Sequence, residues 1–536
     1  MRYIKRHSVL FIACSLVLLS CQHTSQSEHA SPSHLSSGIP VDSALTIDLD
    51  STSLGIQTIL SGLDVPWEIT WGPDNWIWFT EENGVVSKVN PSNGERKTLL
   101  EIPDIYVKKL GMLSMAIHPD FSSSPYVFLN YTFLKDSSIA SRLIRYSYNG
   151  DKLIDPLTLM EIPANTGHNG SRLVIGPDRK LFWATGDVAC CGNGDATSER
   201  VAQQPHLLNG KILRLNIDGS IPADNPSPES AVWALGFRVP QGLVYASNGL
   251  LYSAEHGDAT DDEVNLIRRE MNYGYPDVTG FCDRAAEISF CSSHVVADPL
   301  KSWTPTIAPA GLDYYNASAI PEWKNSILLV TLKTQTLRVL SLNQAGDVIL
   351  SEKIYLKNMF GRLRDICVSP AGDIYISTSN QDWNPAEGFP KQGDDRIIRL
   401  SKTQKKEKSG SSDLTTVSST GRQAAAGATT YANYCASCHK HDGAGVTGVF
   451  PPLKQNPDVT GNKNKLISVL LNGMSGSLKV NGATYNQSMP AFDFLTDREL
   501  AEVLTYIRSS FDNSADEVTA EDIRKIRNTP ERHGPK

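Results

Sequence analysis

From residue 45 to about residue 402 the chain repeats one short arrangement of polar and apolar positions. A turn built from Gly, Pro, Asp or Asn is followed by an apolar and aromatic run of strand length. The clearest copies are "WGPDNWIWFTE" from Trp71, "IGPDRKLFWATGD" from Ile175, "ASNGLLYSAEHG" from Ala246 and "SPAGDIYISTSN" from Ser369. Looser copies are "HPDFSSSPYVFLNY" from His118 and "PEWKNSILLVTL" from Pro321. The turn residues supply unusual dihedrals, and the β-branched and aromatic residues fill a sheet face. Few stretches in this region carry a helical period. Six copies, spaced roughly 45 to 75 residues apart, suggest an all-β six-bladed propeller with one four-stranded blade per copy. A non-repeating β-sandwich with ordinary hairpins is the alternative. In a propeller the blade loops converge at one end of a central channel, which is where chemistry is expected.

Past residue 402 the pattern changes. "KTQKKEKSGSSDLTTVSSTG" is polar and small, and residues 403–420 read as a linker. "RQAAAGATTYANYCASCH" reads as helical. "LTDRELAEVLTYIRSSF" places apolar residues at 500, 503, 504 and 507, and Thr496 with Glu499 makes a capping box. A small all-α domain is therefore expected over 421–512. Residues 513–536 are charged and are expected to fray.

The N-terminus changes the picture of where the protein works. "MRYIKRH" is basic, and "SVLFIACSLVLL" is an apolar run short for a membrane span. It ends at "LLSC". Ser20 before Cys21 resembles the lipobox of bacterial lipoproteins, whose cysteine is lipidated; a plain secretory signal is the alternative. Residues 22–44 read as a flexible tether. An exported protein, lipid-anchored to a bacterial membrane and facing the periplasm or the cell exterior, is expected. Gln22 after Cys21 resembles the pattern of outer-membrane retention. The length of 536 residues calls for more than one domain, and the net charge of −8 argues against nucleic acid as a partner.

Nine cysteines are present, and export permits disulfides. Cys282 and Cys291 are expected to pair. Cys190 and Cys191 are adjacent, so a strained bridge and two thiols both stay open. Cys367 reads as a buried thiol. Cys435, Cys438 and His439 form C-x-x-C-H, the pattern that attaches a c-type haem by two thiols and ligates its iron by the histidine. Some 50 residues on, "NQSMPAF" offers Met489 for the second face of the iron; Met474 is its rival. With "FPPL" between them and the terminal helix, residues 421–512 resemble a small class I cytochrome c domain.

Upstream there is no G-x-G-x-x-G nicotinamide fingerprint. His168 precedes an apolar strand, as a general base or a structural hydrogen-bonder. Arg238 lies in a turn. Arg362 and Arg364 share one face of a strand, and Lys333 reads as lying inside one. Four cations at strand or loop starts suit a polyanionic ligand or plain solvation. "SAEHGDATDDEVNLI" is rich in oxygen donors and suits calcium or an acidic turn.

Taken in order, "GHNGSRLVIGPD", "ATGD", "NGKILRLNIDGSIPADNP", "GFRVPQGL", "EHGDATDDEVNLI", "NYGYP", "PTIAP" and "GRLRDI" resemble the soluble PQQ-dependent glucose (aldose) dehydrogenases and the related glucose/sorbosone dehydrogenases, over about residues 55–400. The resemblance implies a six-bladed propeller. It implies that His168 takes the proton of a sugar C1 hydroxyl while hydride passes to the quinone C5, and that Arg238 polarises the quinone oxygen. Lys333, Arg362 and Arg364 would hold PQQ carboxylates. Gly257 and Asp258 would hold the calcium beside PQQ, and Asp261, Asp262 and Glu263 a second, structural calcium. Lys109 stands where the glucose enzymes have glutamine, Val239 replaces an asparagine, Asp258 a proline and Gly167 an aspartate. A cation at 109 still suits a carboxylate; the other three changes bear on which sugar is accepted.

The expected function is that of a quinohaemoprotein. A sugar is oxidised with PQQ and calcium in the propeller, and electrons pass to the tethered haem c and then to an external cytochrome or respiratory-chain acceptor. The rivals are a calcium-dependent propeller lactonase and a non-catalytic docking module carrying an electron-transfer cytochrome.

Overall fold

The computed structural model describes residues 45–105, 110–189, 198–382, 384–386, 388–403, 427–428, 430–431, 434–440, 442–474, 476–485, 489, 492 and 495–528. The expected signal with Cys21, the expected tether, Lys109, the Cys190–Cys191 pair and residues 404–420 lie outside the described residues.

Five four-stranded antiparallel sheets follow one another over 66–101, 112–163, 170–235, 239–303 and 309–355. A sixth takes three strands from 363–403 and two from 46–61. These are the six blades. Each copy of the repeated pattern is the hairpin between the first and second strands of one blade. The turns are built alike: the amides of Gly72, Gly176, Ala246 and Ser369 donate to the carbonyls of Trp76, Lys180, Leu250 and Asp373. Asn75, Arg179, Gly249, Asn325 and Gly372 carry the positive φ that such a turn needs. The strand after each turn is covered on both faces, so it is apolar throughout rather than alternating. Trp78, Phe128, Trp183, Tyr252, Leu328 and Tyr375 are buried at its centre.

The ring closes by pairing the chain's two ends. Ser53–Ser61 lies antiparallel to Arg396–Thr403, with Gln57 opposite Arg399. The first strand of each blade faces the channel. There Arg172 bonds Glu68 and Asp365 at 2.5 and 3.0 Å, tying blades three, one and six. Buried charges persist when they are paired in this way.

The C-terminal domain packs helices Lys463–Asn472, Asp497–Ser509 and Ala520–Arg527 beside the short Ala436–His439 helix. Leu500, Val503, Leu504 and Ile507 are buried, and Thr496 and Glu499 form the expected capping box. Beside the helices, Leu478–Val480 pairs with Ala483–Tyr485 in a short hairpin. One expectation needs correction: residues 513–528 do not fray, since Val518 and Ile523 are buried, and Lys463 and Arg527 pair with Asp522 and Asp497. Ile523 and Ile526, three apart, make a short apolar stripe masked by the charges around it.

Cys282 and Cys291 form a disulfide and Cys367 is a buried free thiol. No helix among the described residues is long and apolar enough to cross a membrane.

Candidate active site and haem site

A cavity of 1220 Å³ opens among the blades and is lined by His168, Arg238, Gly257, Asp258, Lys333, Arg362 and Arg364. Residues from five different stretches of sequence therefore meet in one place. Lys109 lies outside the described residues.

His168 precedes the inner strand Gly170–Ile175 and sits at φ +54°, a region costly for a side-chain-bearing residue. Gly186 makes that fold-back feasible: a Cβ there would lie 1.9 Å from the His168 carbonyl oxygen. The next residue, Asp187, is 1 % exposed. Its carboxylate accepts from His168 Nδ1 at 2.9 Å, and its own amide donates to the Arg238 carbonyl at 2.8 Å. One residue thus ties the two catalytic candidates together. With the proton on Nδ1, Nε2 is the free base. Tyr275 is pushed up to about 12, first by burial and then by the charge of Asp187.

Arg362 and Arg364 share Asp382, at 3.4 and 2.5 Å, and Arg364 also donates to Gln241 at 2.8 Å. Burial holds Arg362 down at about 10. Lys333 donates to Thr306 at 2.8 Å, and burial lowers its pKa. It lies in the turn after Ser326–Thr331 and not inside a strand. Three desolvated cations with one carboxylate in hydrogen-bonding contact make a site that an anion with several carboxylates fits.

The calcium expectations fare unevenly. Gly257 and Asp258 present oxygens at the cavity, but Arg238 already binds them, at 2.6 Å to the Gly257 carbonyl and 3.0 Å to Asp258. Their chemistry fits a hard cation provided that the guanidinium moves. At the second site the three carboxylates already have protein partners. Asp261 is held by Arg284, Ser302 and Thr304. Asp262 takes the amides of Gly257, Ile307 and Ala308. Glu263 takes Asn265 and the Gly280 amide. Asp262 and Glu263 are neighbours on the strand Asp262–Ile267, so they point to opposite faces. No group of three His, Cys, Asp or Glu side chains gathers among the described residues.

In the C-terminal domain, the Ala436–His439 helix carries Cys438 and follows Cys435. His439 Nδ1 lies 2.8 Å from the Pro451 carbonyl of the "FPPL" segment, which acts as the acceptor and leaves Nε2 for iron. Met474 and Met489 exchange backbone hydrogen bonds with each other. Met489, like Cys435, packs against the domain's apolar cluster. This donor set fits a c-type haem with a thioether on its second face.

Asp187, Gln241, Asp382 and Ala428 were not singled out from sequence. Asp187 stands in "ATGD", a motif whose role only the pairing of neighbouring strands reveals. Ala428, from the haem domain, lines the propeller cavity.

Comparison with known proteins places these sites. The glucose/sorbosone dehydrogenase family profile matches residues 63–384, and the cytochrome c profile matches residues 424–511. Quinoprotein glucose dehydrogenase B of Acinetobacter calcoaceticus is 31% identical over 423 residues, covering 63% of this chain and 88% of its own. Cytochrome c-552 of Thermus thermophilus is 38% identical over 110 residues, covering 19% of this chain and 83% of its own. Among solved structures, the PQQ-bound aldose sugar dehydrogenase of Streptomyces coelicolor matches with a TM-score of 0.55 and 29% identity, over 65% of this chain and 98% of that one.

Proposed function

The chain belongs to the glucose/sorbosone dehydrogenase family and carries a cytochrome c domain behind it, and on that footing we propose that it oxidises an aldose or related sugar at the C1 hydroxyl to the lactone and sends the electrons out through its own haem. One observation carries this reading. His168, Arg238, Lys333, Arg362 and Arg364 line a single cavity, and Ala428 of the haem domain lines the same cavity.

When bound, PQQ supplies a two-electron acceptor for the hydride leaving the sugar carbon. Lys333, Arg362 and Arg364 are the residues that would hold its carboxylates. Asp187 holds His168 as the Nδ1–H tautomer, so that Nε2 is the nitrogen that takes the hydroxyl proton. Arg238 is placed to stabilise negative charge on an oxygen in the cavity. Gly257 and Asp258 would hold calcium, which supplies a Lewis acid. Cys435, Cys438, His439 and Met489 would hold haem c, which would supply a one-electron carrier toward an external cytochrome or respiratory-chain acceptor. Export and a lipid anchor at Cys21 rest on the sequence pattern. A lactonase or a passive docking module would leave the cationic trio without a purpose.

Protein loaded with PQQ and Ca²⁺ should reduce a small redox dye when given an aldose. Arg362→Gln and Arg364→Gln should each need about tenfold or more PQQ to reach half-activity, since each loses charge-assisted hydrogen bonds. Lactone hydrolysis with Ca²⁺ alone, and no dye reduction with PQQ, would overturn the proposal.

A further inference from the structure

An ion pair crosses from the propeller to the haem domain. Lys357 Nζ donates to Glu499 Oε1, and its ammonium stands 5.1 Å from the ring centre of Tyr434. Both contacts fall at informative places. Glu499 is the capping-box residue of the Asp497–Ser509 helix, and Tyr434 immediately precedes the haem-attaching Cys435. One side chain therefore grips the segment that carries the haem and the helix packed behind it.

The lysine is presented by a built turn. Leu356 and Asn358, on either side of it, both adopt φ +59°. The Asn358 amide donates to the Gln335 carbonyl at 3.2 Å, and Asn358 and Gln335 line the cavity. The lysine thus stands next to the cavity wall without lining it. The pair is partly shielded, with side-chain exposures of 21% and 24%. Burial alone would raise Glu499, but Lys357 and the Thr496 amide bring its pKa down on balance. Cys438 itself lies near Lys333 of the cavity wall. Ala428 completes the contact from the haem-domain side.

We propose that Lys357 is a positioning residue that docks the haem domain on the propeller mouth, holding the Cys435–His439 segment beside the dehydrogenase cavity through Glu499 and Tyr434. A single partly solvated ion pair is weak and salt-sensitive. The latch therefore sets how often the haem is in place and contributes little to the stability of either domain. The functional consequence rests on the dehydrogenase reading above; the docking itself does not.

Two readouts on the full-length, haem-loaded protein separate these. Zero-length carbodiimide cross-linking at low salt, followed by peptide mass spectrometry, should join Lys357 to Glu499, and about 1 M salt should abolish the link. Absence of that link at low salt would overturn the docking whatever the enzyme does. In stopped flow with PQQ, Ca²⁺ and an oxidisable sugar, Lys357→Glu should slow haem reduction about tenfold through like-charge repulsion with Glu499. Lys357→Arg should retain the rate, and dye reduction should be the same in all three proteins. High salt should slow the parent and, by screening the repulsion, partly restore the rate of Lys357→Glu. An unaltered haem-reduction rate in Lys357→Glu would overturn the proposal. If no sugar reduces dye or haem in the parent protein, the dehydrogenase reading fails while the cross-link still decides the docking.

Discussion

His168 can act as a base only if Nε2 carries the lone pair, and Asp187 selects that tautomer by accepting from Nδ1. His168→Ala is expected to lower kcat/KM about 10²–10⁴-fold, the usual contribution of a general base, with PQQ affinity retained. Asp187→Asn should produce a loss of the same order, because an amide facing Nδ1 favours the wrong tautomer. Steady-state kinetics beside a PQQ titration checks this; activity within about twofold of the parent in His168→Ala would contradict it. His168 was legible in the sequence because it stands just before an apolar strand in a matching motif. Asp187 was not, since 19 residues separate the two and only the pairing of Gly170–Ile175 with Leu181–Thr185 brings them together. In the acidic stretch, strand alternation sends Asp262 and Glu263 to opposite faces, which their adjacency in sequence does not show. Lys333 follows the apolar run Ser326–Thr331, which predicts that the strand continues through it, whereas the chain turns there.

The blade hairpin is the element on which the fold is built, and its turn chemistry is written plainly in the sequence at Gly72, Gly176, Ala246 and Ser369. That is why six blades could be counted before the structure was known. What local pattern could not give was the closure, which pairs residues more than 300 positions apart. Glu322 shows how the closing sheet is fastened. Its carboxylate accepts the amides of Ser51 and Thr52 at 2.8 Å each, and both their hydroxyls. Burial acts to raise its pKa, but the donors of Ser51 and Thr52 outweigh it and hold the group at about 2. The folded pKa lies below the unfolded value of 4.5, so this contribution is present above pH 4.5 and is lost as pH falls through about 2. Glu322→Gln should lower Tm at pH 7 and flatten the fall in Tm between pH 4.5 and 2. Identical pH slopes in the two proteins would contradict this role. In the haem domain the same lesson runs the other way: the strong stripe at 500, 503, 504 and 507 was legible, whereas Ile523 and Ile526 were hidden among charges.

At the scale of the whole molecule, a propeller cavity built for a polyanion and a haem-attachment segment share one neighbourhood. Cys438 lies near Lys333, and Ala428 lines the cavity. Each domain was legible separately, because each carries its own motifs. Their juxtaposition was not, since it depends on side chains such as Lys357 and Glu499 that carry no motif. The most direct measurement is an anaerobic one. Ferric, haem-loaded protein with PQQ and Ca²⁺ is mixed with a panel of aldoses, and the haem absorption bands are followed. Haem reduction that requires both PQQ and a sugar, and that His168→Ala abolishes, is the expected result. PQQ bound with dye reduced by sugar, but the haem remaining ferric throughout, would contradict an electron path through the protein's own haem.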